Sequence, residues 1–199
     1  ELSGNDVYGP IFQDSRGRIW VGVFEEGIDL IDEKTGTVKH IAPQHGLGNG
    51  LNELIQDLSE DKSGRMWLGT WGGGVRMIDE RAGRIKSLTT AHGLGNDRIS
   101  SLAFDEKGSA WIGTYGTGVD VFDTKAQTIK HLRTAQGLNN DIVLSVFADK
   151  QHQIWIGTEG GEANVYNTAS GNIHHLSSRN GLNNGSAFYF GFAQDSQAR

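Results

Sequence analysis

The chain repeats itself, and that constrains its fold before any local preference does. The segment Gly108-Ser109-Ala110-Trp111-Ile112-Gly113-Thr114 has three counterparts: Gly17-Arg18-Ile19-Trp20-Val21-Gly22-Val23, Gly64-Arg65-Met66-Trp67-Leu68-Gly69-Thr70 and His152-Gln153-Ile154-Trp155-Ile156-Gly157-Thr158. The four tryptophans are spaced 47, 44 and 44 residues apart. Gly46-Leu47, Gly93-Leu94, Gly137-Leu138 and Gly181-Leu182 keep the same steps. Two independent marks on one period define repeats at about 1–45, 46–92, 93–136 and 137–180, with a partial fifth at 181–199.

Within the third repeat, Arg98 to Phe104, Ala110 to Thr114, Val119 to Phe122 and Ile129 to Leu132 are short apolar-rich runs. Asp- and Gly-rich turns separate them, which predicts a four-stranded antiparallel meander. No segment sustains the i, i+3, i+4, i+7 spacing of an amphipathic helix. A sheet of this size cannot bury both faces alone, so neighbouring repeats must stack on it. The resulting expectation is an all-β propeller whose blades carry the motif tryptophan on their second strand. A parallel β-helix would need a shorter period. Pro10 is expected within a first, channel-lining strand spanning Val7 to Gln13, because a sheet edge tolerates a missing donor. Pro43 falls in an inter-repeat connection. The fifth repeat ends before its tryptophan, so 1–199 reads as one propeller segment, belonging to a larger ring or closed by association of chains.

Composition narrows the partners. The formal net charge of −6, with no basic patch, argues against nucleic acid. No apolar run reaches the roughly 18 residues of a membrane span, and no membrane contact is expected of this segment. The absence of cysteine excludes disulfides and thiolate metal sites. No cofactor motif appears: Trp71-Gly72-Gly73-Gly74 leads into a strand rather than a helix, unlike a phosphate loop.

The repeats resemble the two-component regulator propeller repeat. The resemblance is carried by Gly137-Leu138-Asn139-Asn140-Asp141-Ile142, Asp149, Ile154-Trp155-Ile156-Gly157-Thr158 and Gly160-Gly161, and recurs in register along the chain. Departures are local. Val23 replaces the usual Thr, His152 and Ala198 replace a turn glycine, and Gln127 stands where Gly36, Gly83 and Gly171 occur, which puts those turn types in question. The resemblance implies an extracytoplasmic sensor module, periplasmic or extracellular, of a bacterial receptor with a histidine kinase, diguanylate cyclase or transcriptional output. It further implies a ring of about seven blades, within the range propellers show, and oligosaccharide ligands.

Aligned on the motif, the residue after Gly-Thr is Phe24, Trp71, Tyr115 and Glu159 in successive repeats. Three aromatics and an acid at one register would form a stacking platform for a sugar or small molecule. Inter-repeat loops add Asn96, Asp97, Arg98, Asn140 and Asp141 on the same side, with Asn52 and Glu53 at the matching place. Trp20, Trp67, Trp111 and Trp155 are expected to be structural wedges between blades. Asp14, Asp61, Asp105 and Asp149 read as turn residues rather than catalytic acids, and no Asp-box of the sialidase kind is formed. Ser100-Ser101 and Ser177-Ser178 have no base placed beside them.

His45 and His92 precede matching Gly-Leu pairs, but Gln136 and Asn180 follow at those positions, so they read as polar loop residues. His40, His131, His174 and His175 are expected to be solvated on the outermost strand. A non-catalytic sensor of an extracellular small molecule or glycan is the leading reading. The alternatives are a streptogramin-lyase-like metal-dependent enzyme using His92, with Glu159 assisting, and a protein-interaction or assembly scaffold.

Overall fold

A computed structural model describes residues 1–4, 7, 9–24, 26–41, 54–160 and 162–177. These form four antiparallel sheets, one per repeat, each with its strands in chain order. The first comprises β1 (Ile11–Gln13), β2 (Ile19–Val23), β3 (Gly27–Asp32) and β4 (Thr37–Ile41). The second comprises β5 (Ile55–Glu60), β6 (Met66–Thr70), β7 (Val75–Asp79) and β8 (Arg84–Leu88). The third holds β9 (Ile99–Phe104), β10 (Ala110–Thr114), β11 (Val119–Asp123) and β12 (Thr128–Leu132), and the fourth β13 (Val143–Ala148), β14 (Gln153–Thr158), β15 (Glu162–Asn167) and β16 (Ile173–Leu176). The meander expected from the repeats is therefore present four times. The partial fifth repeat, Pro43, His45, Asn52, Glu53, Ser178, Asn180 and Ala198 lie outside the described residues.

The first strand is shorter than expected. It begins at Ile11, after Pro10 rather than around it. Proline has no N–H to give the ladder, yet its carbonyl still accepts from Gly22 N at 3.3 Å.

Each hydrophobic core straddles two blades, which is why one repeat could not stand alone. Trp20, Ile28, Leu30 and Ile41 of the first blade pack on Ile55, Leu58, Met66, Leu68 and Ile78 of the second. Trp67 meets Ile99, Leu102 and Ile112 of the third, edge-on to Phe104 at 5.2 Å. Trp111 meets Val143, Val146 and Ile156 of the fourth. Trp20, Trp67 and Trp111 thus each pack between two blades. Trp155, on the last described blade, is half-buried.

The motif glycine between wedge and threonine allows the next blade to approach. A Cβ on Gly69 would lie 2.8 Å from Ile99 Cγ2, and one on Gly113 2.9 Å from Val143 Cγ1. Neither distance is a tolerable contact, so the next blade's first strand packs onto bare backbone.

At His152 and Gln127 the turn keeps the conformation that glycine adopts in the other repeats. His152 adopts φ 65° where Gly17, Gly64 and Gly108 adopt 82°, 79° and 84°. Gln127 takes φ 56° at the position of Gly36, Gly83 and Gly171. Side chains tether both strained residues: His152 Nδ1 lies 2.7 Å from Glu106 Oε2, and Gln127 Nε2 donates to Thr124 O at 2.7 Å.

Candidate functional site

The second strand of every blade connects two different ends of the sheet. At its start, the turn aspartate has two jobs. Asp61 Oδ1 accepts from the N–H groups of Ser63 and Arg65, while Oδ2 accepts the indole N–H of Trp67 at 3.0 Å. Asp14–Trp20, Asp105–Trp111 and Asp149–Trp155 repeat that indole bond at 3.0, 3.0 and 2.8 Å. One carboxylate therefore ties the turn to the wedge. The sequence reading assigned both residues structural roles but missed their pairing, although a constant six-residue spacing in four copies signals it. Burial pushes the Asp61 carboxyl up, but bonds from Ser63, Arg65 and Trp67 outweigh this and hold it below the ordinary value. Asp14 is lowered in the same way by Trp20 and Arg18 against its burial.

At the other end, the threonine closes the next hairpin. Thr70 Oγ1 and Thr114 Oγ1 donate to Gly74 O and Gly118 O at 2.9 and 2.7 Å. The loop is then clasped to the linker entering the following blade. Gly72 and Gly74 N–H groups both donate to Asp97 O, and those of Gly116 and Gly118 to Asp141 O. The residue after the threonine is pinned through its own N–H: Trp71 to Leu54 O, Tyr115 to Arg98 O, Glu159 to Ile142 O, at 2.9–3.0 Å. On these fixed backbones Trp71 and Glu159 are exposed and Tyr115 is half-buried.

There the structure brings three predicted residues together. The Trp71 and Tyr115 rings, from adjacent blades, lie 4.9 Å apart at 59°. The Arg98 guanidinium sits 5.6 Å from the Trp71 ring centroid, within cation–π range. Trp71 and Phe24 remain exposed, at 36% and 39%. Phe24 and the exposed Glu159 hold the matching positions on the first and fourth blades.

Asn96, Asp97, Asn140 and Asp141 behave differently from the expectation that they face a ligand. Asn96 donates to Tyr115 O and accepts from Arg98 N; Asn140 donates to Glu159 O and accepts from Ile142 N. Asp97 takes the N–H and hydroxyl of Thr90, and Asp141 those of Thr134. Short asparagines and aspartates in a linker find backbone donors at closer reach than solvent partners. They build the rim and hold Trp71, Tyr115 and Arg98 in place.

His92 also has a local task. Its Nδ1 lies 2.9 Å from Thr89 Oγ1, closing a single 3-10 turn, Thr90–His92. Gln136 Oε1 accepts from Arg133 N in the equivalent turn, which explains the His-to-Gln exchange. Among the described residues, no three His, Asp or Glu side chains are arranged to hold a metal ion.

Three outer-strand histidines are not merely solvated. His40 Nδ1 lies 2.7 Å from Asp29 Oδ1, His131 Nδ1 2.6 Å from Asp120 Oδ1, and His175 Nδ1 3.0 Å from Asn164 Oδ1. Asp29, Asp120 and Asn164 are fully buried on the third strands. A buried polar group needs partners, and the linkers supply others: Gly95 N–H donates to Asp120 and Asn139 N–H to Asn164. The histidine thus completes an anchor for the loop that carries Asn96 and Arg98. Its signal in the sequence was the 11-residue separation in three copies. In the second blade Arg76 stands at this register, opposite Ser87.

A model of the two component regulator propeller matches residues 1–25, 49–72, 93–116 and 137–160. A search of curated proteins finds no match. Among solved structures, the extracellular domain assigned to the hybrid two component system BT3049 from B. thetaiotaomicron superposes with a TM-score of 0.73 at 21% identity, over 85% of this chain and 23% of that one. The extracellular domain assigned to the one component system BT4673 from the same organism gives 0.64 at 27% identity, over 79% and 21%. A catalytically inactive virginiamycin B lyase from Staphylococcus aureus, with quinupristin, gives 0.68 at 15% identity, over 89% and 58%. The chain thus spans under a quarter of the two extracellular domains it resembles.

Proposed function

Since this chain belongs to the two component regulator propeller family, we propose that it is a non-catalytic sensory module of a bacterial signal-transduction receptor, of histidine kinase or diguanylate cyclase type. In this reading it lies on the periplasmic or extracellular side and binds a small molecule or glycan through its rim. The four blades form one arc of a larger ring, completed by further blades or by a second copy. The likeness to extracellular domains of two-component and one-component systems supports the location. The observation that carries the binding role is the pairing of exposed Trp71 with half-buried Tyr115 on clasped loops of adjacent blades.

An aromatic face at a fixed position gives a sugar ring a stacking surface with little ordering cost. Surrounding loop hydrogen bonds would keep that surface from collapsing when the ligand leaves. The lyase reading draws on fold likeness alone, since the His92 ring is engaged in a turn that Gln136 closes equally well.

A glycan array followed by titration tests the site. Trp71→Ala is expected to weaken binding of the array hits by about 30-fold, the scale of a buried aromatic anchor. An unchanged affinity, or an array without hits, would remove the rim from consideration.

A further inference from the structure

The chemistry of the rim specifies more than a sugar. We infer that its ligand is an acidic glycan, whose sugar ring stacks on Trp71 and Tyr115 while a ring carboxylate is held by Arg98. This rests on the rim reading above and adds the charge of the ligand.

The argument is electrostatic and local. The chain carries a formal net charge of −6, so an exposed cation beside an aromatic surface runs against its overall field. The linker acids Asp97 and Asp141 are committed to other partners. Asp97 spends its carboxylate on the N–H and hydroxyl of Thr90, at 2.7 and 2.9 Å. Asp141 does the same with Thr134, at 2.7 and 3.2 Å. Among the described residues, no carboxylate lies within ion-pairing distance of the Arg98 guanidinium. The guanidinium lies over the Trp71 ring instead.

Arg98 is also positioned beforehand. Its N–H donates to Asn96 Oδ1 at 2.9 Å, its carbonyl accepts from Tyr115 N at 2.9 Å, and its backbone bridges that of Trp71. A guanidinium held over the Trp71 ring presents a planar fork that matches a carboxylate. Stacking on the ring and a charged bond at its substituent are the two contacts that a uronic acid offers together. A neutral hexose satisfies only the first.

The test is a glycan array with uronate, sulfated and neutral arms, followed by titration of the uronate hits and their carboxyl-reduced counterparts. The expected result is that the intact chain binds the uronate form roughly tenfold to a hundredfold more tightly than the reduced form. Raising the salt should weaken the first and spare the second. Arg98→Gln should remove the difference. Arg98→Lys should keep the salt dependence with a smaller preference, which also shows that the loop has not simply lost its structure. Neutral glycans bound as tightly as uronates, with Arg98→Gln silent, overturn the acidic ligand and leave the rim reading standing. Sulfated glycans bound to the exclusion of uronates overturn the carboxylate. No binding in any arm overturns both readings.

Discussion

The two ends of each second strand obey different rules. At the start, Asp and Trp keep the same partner in all four blades, with indole-to-carboxylate distances between 2.8 and 3.0 Å. At the finish, the backbone bonds of Trp71, Tyr115 and Glu159 recur, yet the side chains are unlike one another. Repetition at the first end serves burial, because every wedge must fill the gap to the next blade. Variety at the second end is permitted because the loop's conformation is set by its main chain and by glycine, threonine and asparagine neighbours. A rim of this kind can change what it binds without changing how it folds.

The sharpest way to break this comparison sets two tryptophans four residues apart against each other. Trp67 is wholly buried, and Trp71 is exposed. Trp67→Ala should cost about 3–5 kcal/mol of unfolding free energy, since it opens a cavity between blades and strips Asp61 of a donor. Trp71→Ala should cost about 1 kcal/mol or less, the worth of one exposed aromatic pair. Chemical denaturation of both variants measures the gap. Equal losses would mean that the rim is as much a part of the core as the wedge.

A smaller effect is expected from the glycine that follows the wedge. Gly69→Ala brings a methyl to 2.8 Å from Ile99 Cγ2, and overpacking of that kind costs about 1–3 kcal/mol. Gly22→Ala meets its nearest atom, Gly9 Cα, at 3.5 Å and Ile55 only at 3.7 Å, so it should cost much less. Midpoints of urea unfolding for the pair should rank in that order. The reverse order would show that the first two blades approach as closely as the second and third.

Repetition also governs how much was legible beforehand. Trp67 and Gly69 announce the blade by period alone, and the strand count follows from the turns between them. The aromatic register was legible too, because Trp71 and Tyr115 align once the motif is laid over itself. The roles of Asn96, Asp97, Asn140 and Asp141 were not. Their composition is that of a ligand-facing loop, and only the chain path shows that Thr90 and Thr134 sit close enough to take up the carboxylates. The pairing of His131 with Asp120 was hidden for a similar reason. A buried aspartate within Val119–Asp123 looks like any alternating strand residue until β12 lays its histidine across it.

The last contrast places Asp61 against a neutral copy of itself. Asp61→Asn keeps the shape of the turn but cannot accept from Ser63, Arg65 and Trp67 with two charged oxygens. At neutral pH the variant should lose about 1.5–3 kcal/mol, the range for bonds to a charged group. The folded-state carboxyl is held below its ordinary value by those bonds, against the opposing effect of burial. For a depressed acid, the stabilisation is fully present above the unfolded value, about 3.9, and is lost as the pH falls through the folded value. Unfolding free energies of the two proteins should therefore differ by a constant amount from pH 7 down to about pH 5 and converge in stronger acid. A gap that stays constant into strong acid would show that the turn needs the second acceptor oxygen, which Asn lacks, and not the charge. In that case the Asp–Trp tie would be an ordinary neutral hydrogen bond, and the two ends of the strand would differ in burial alone.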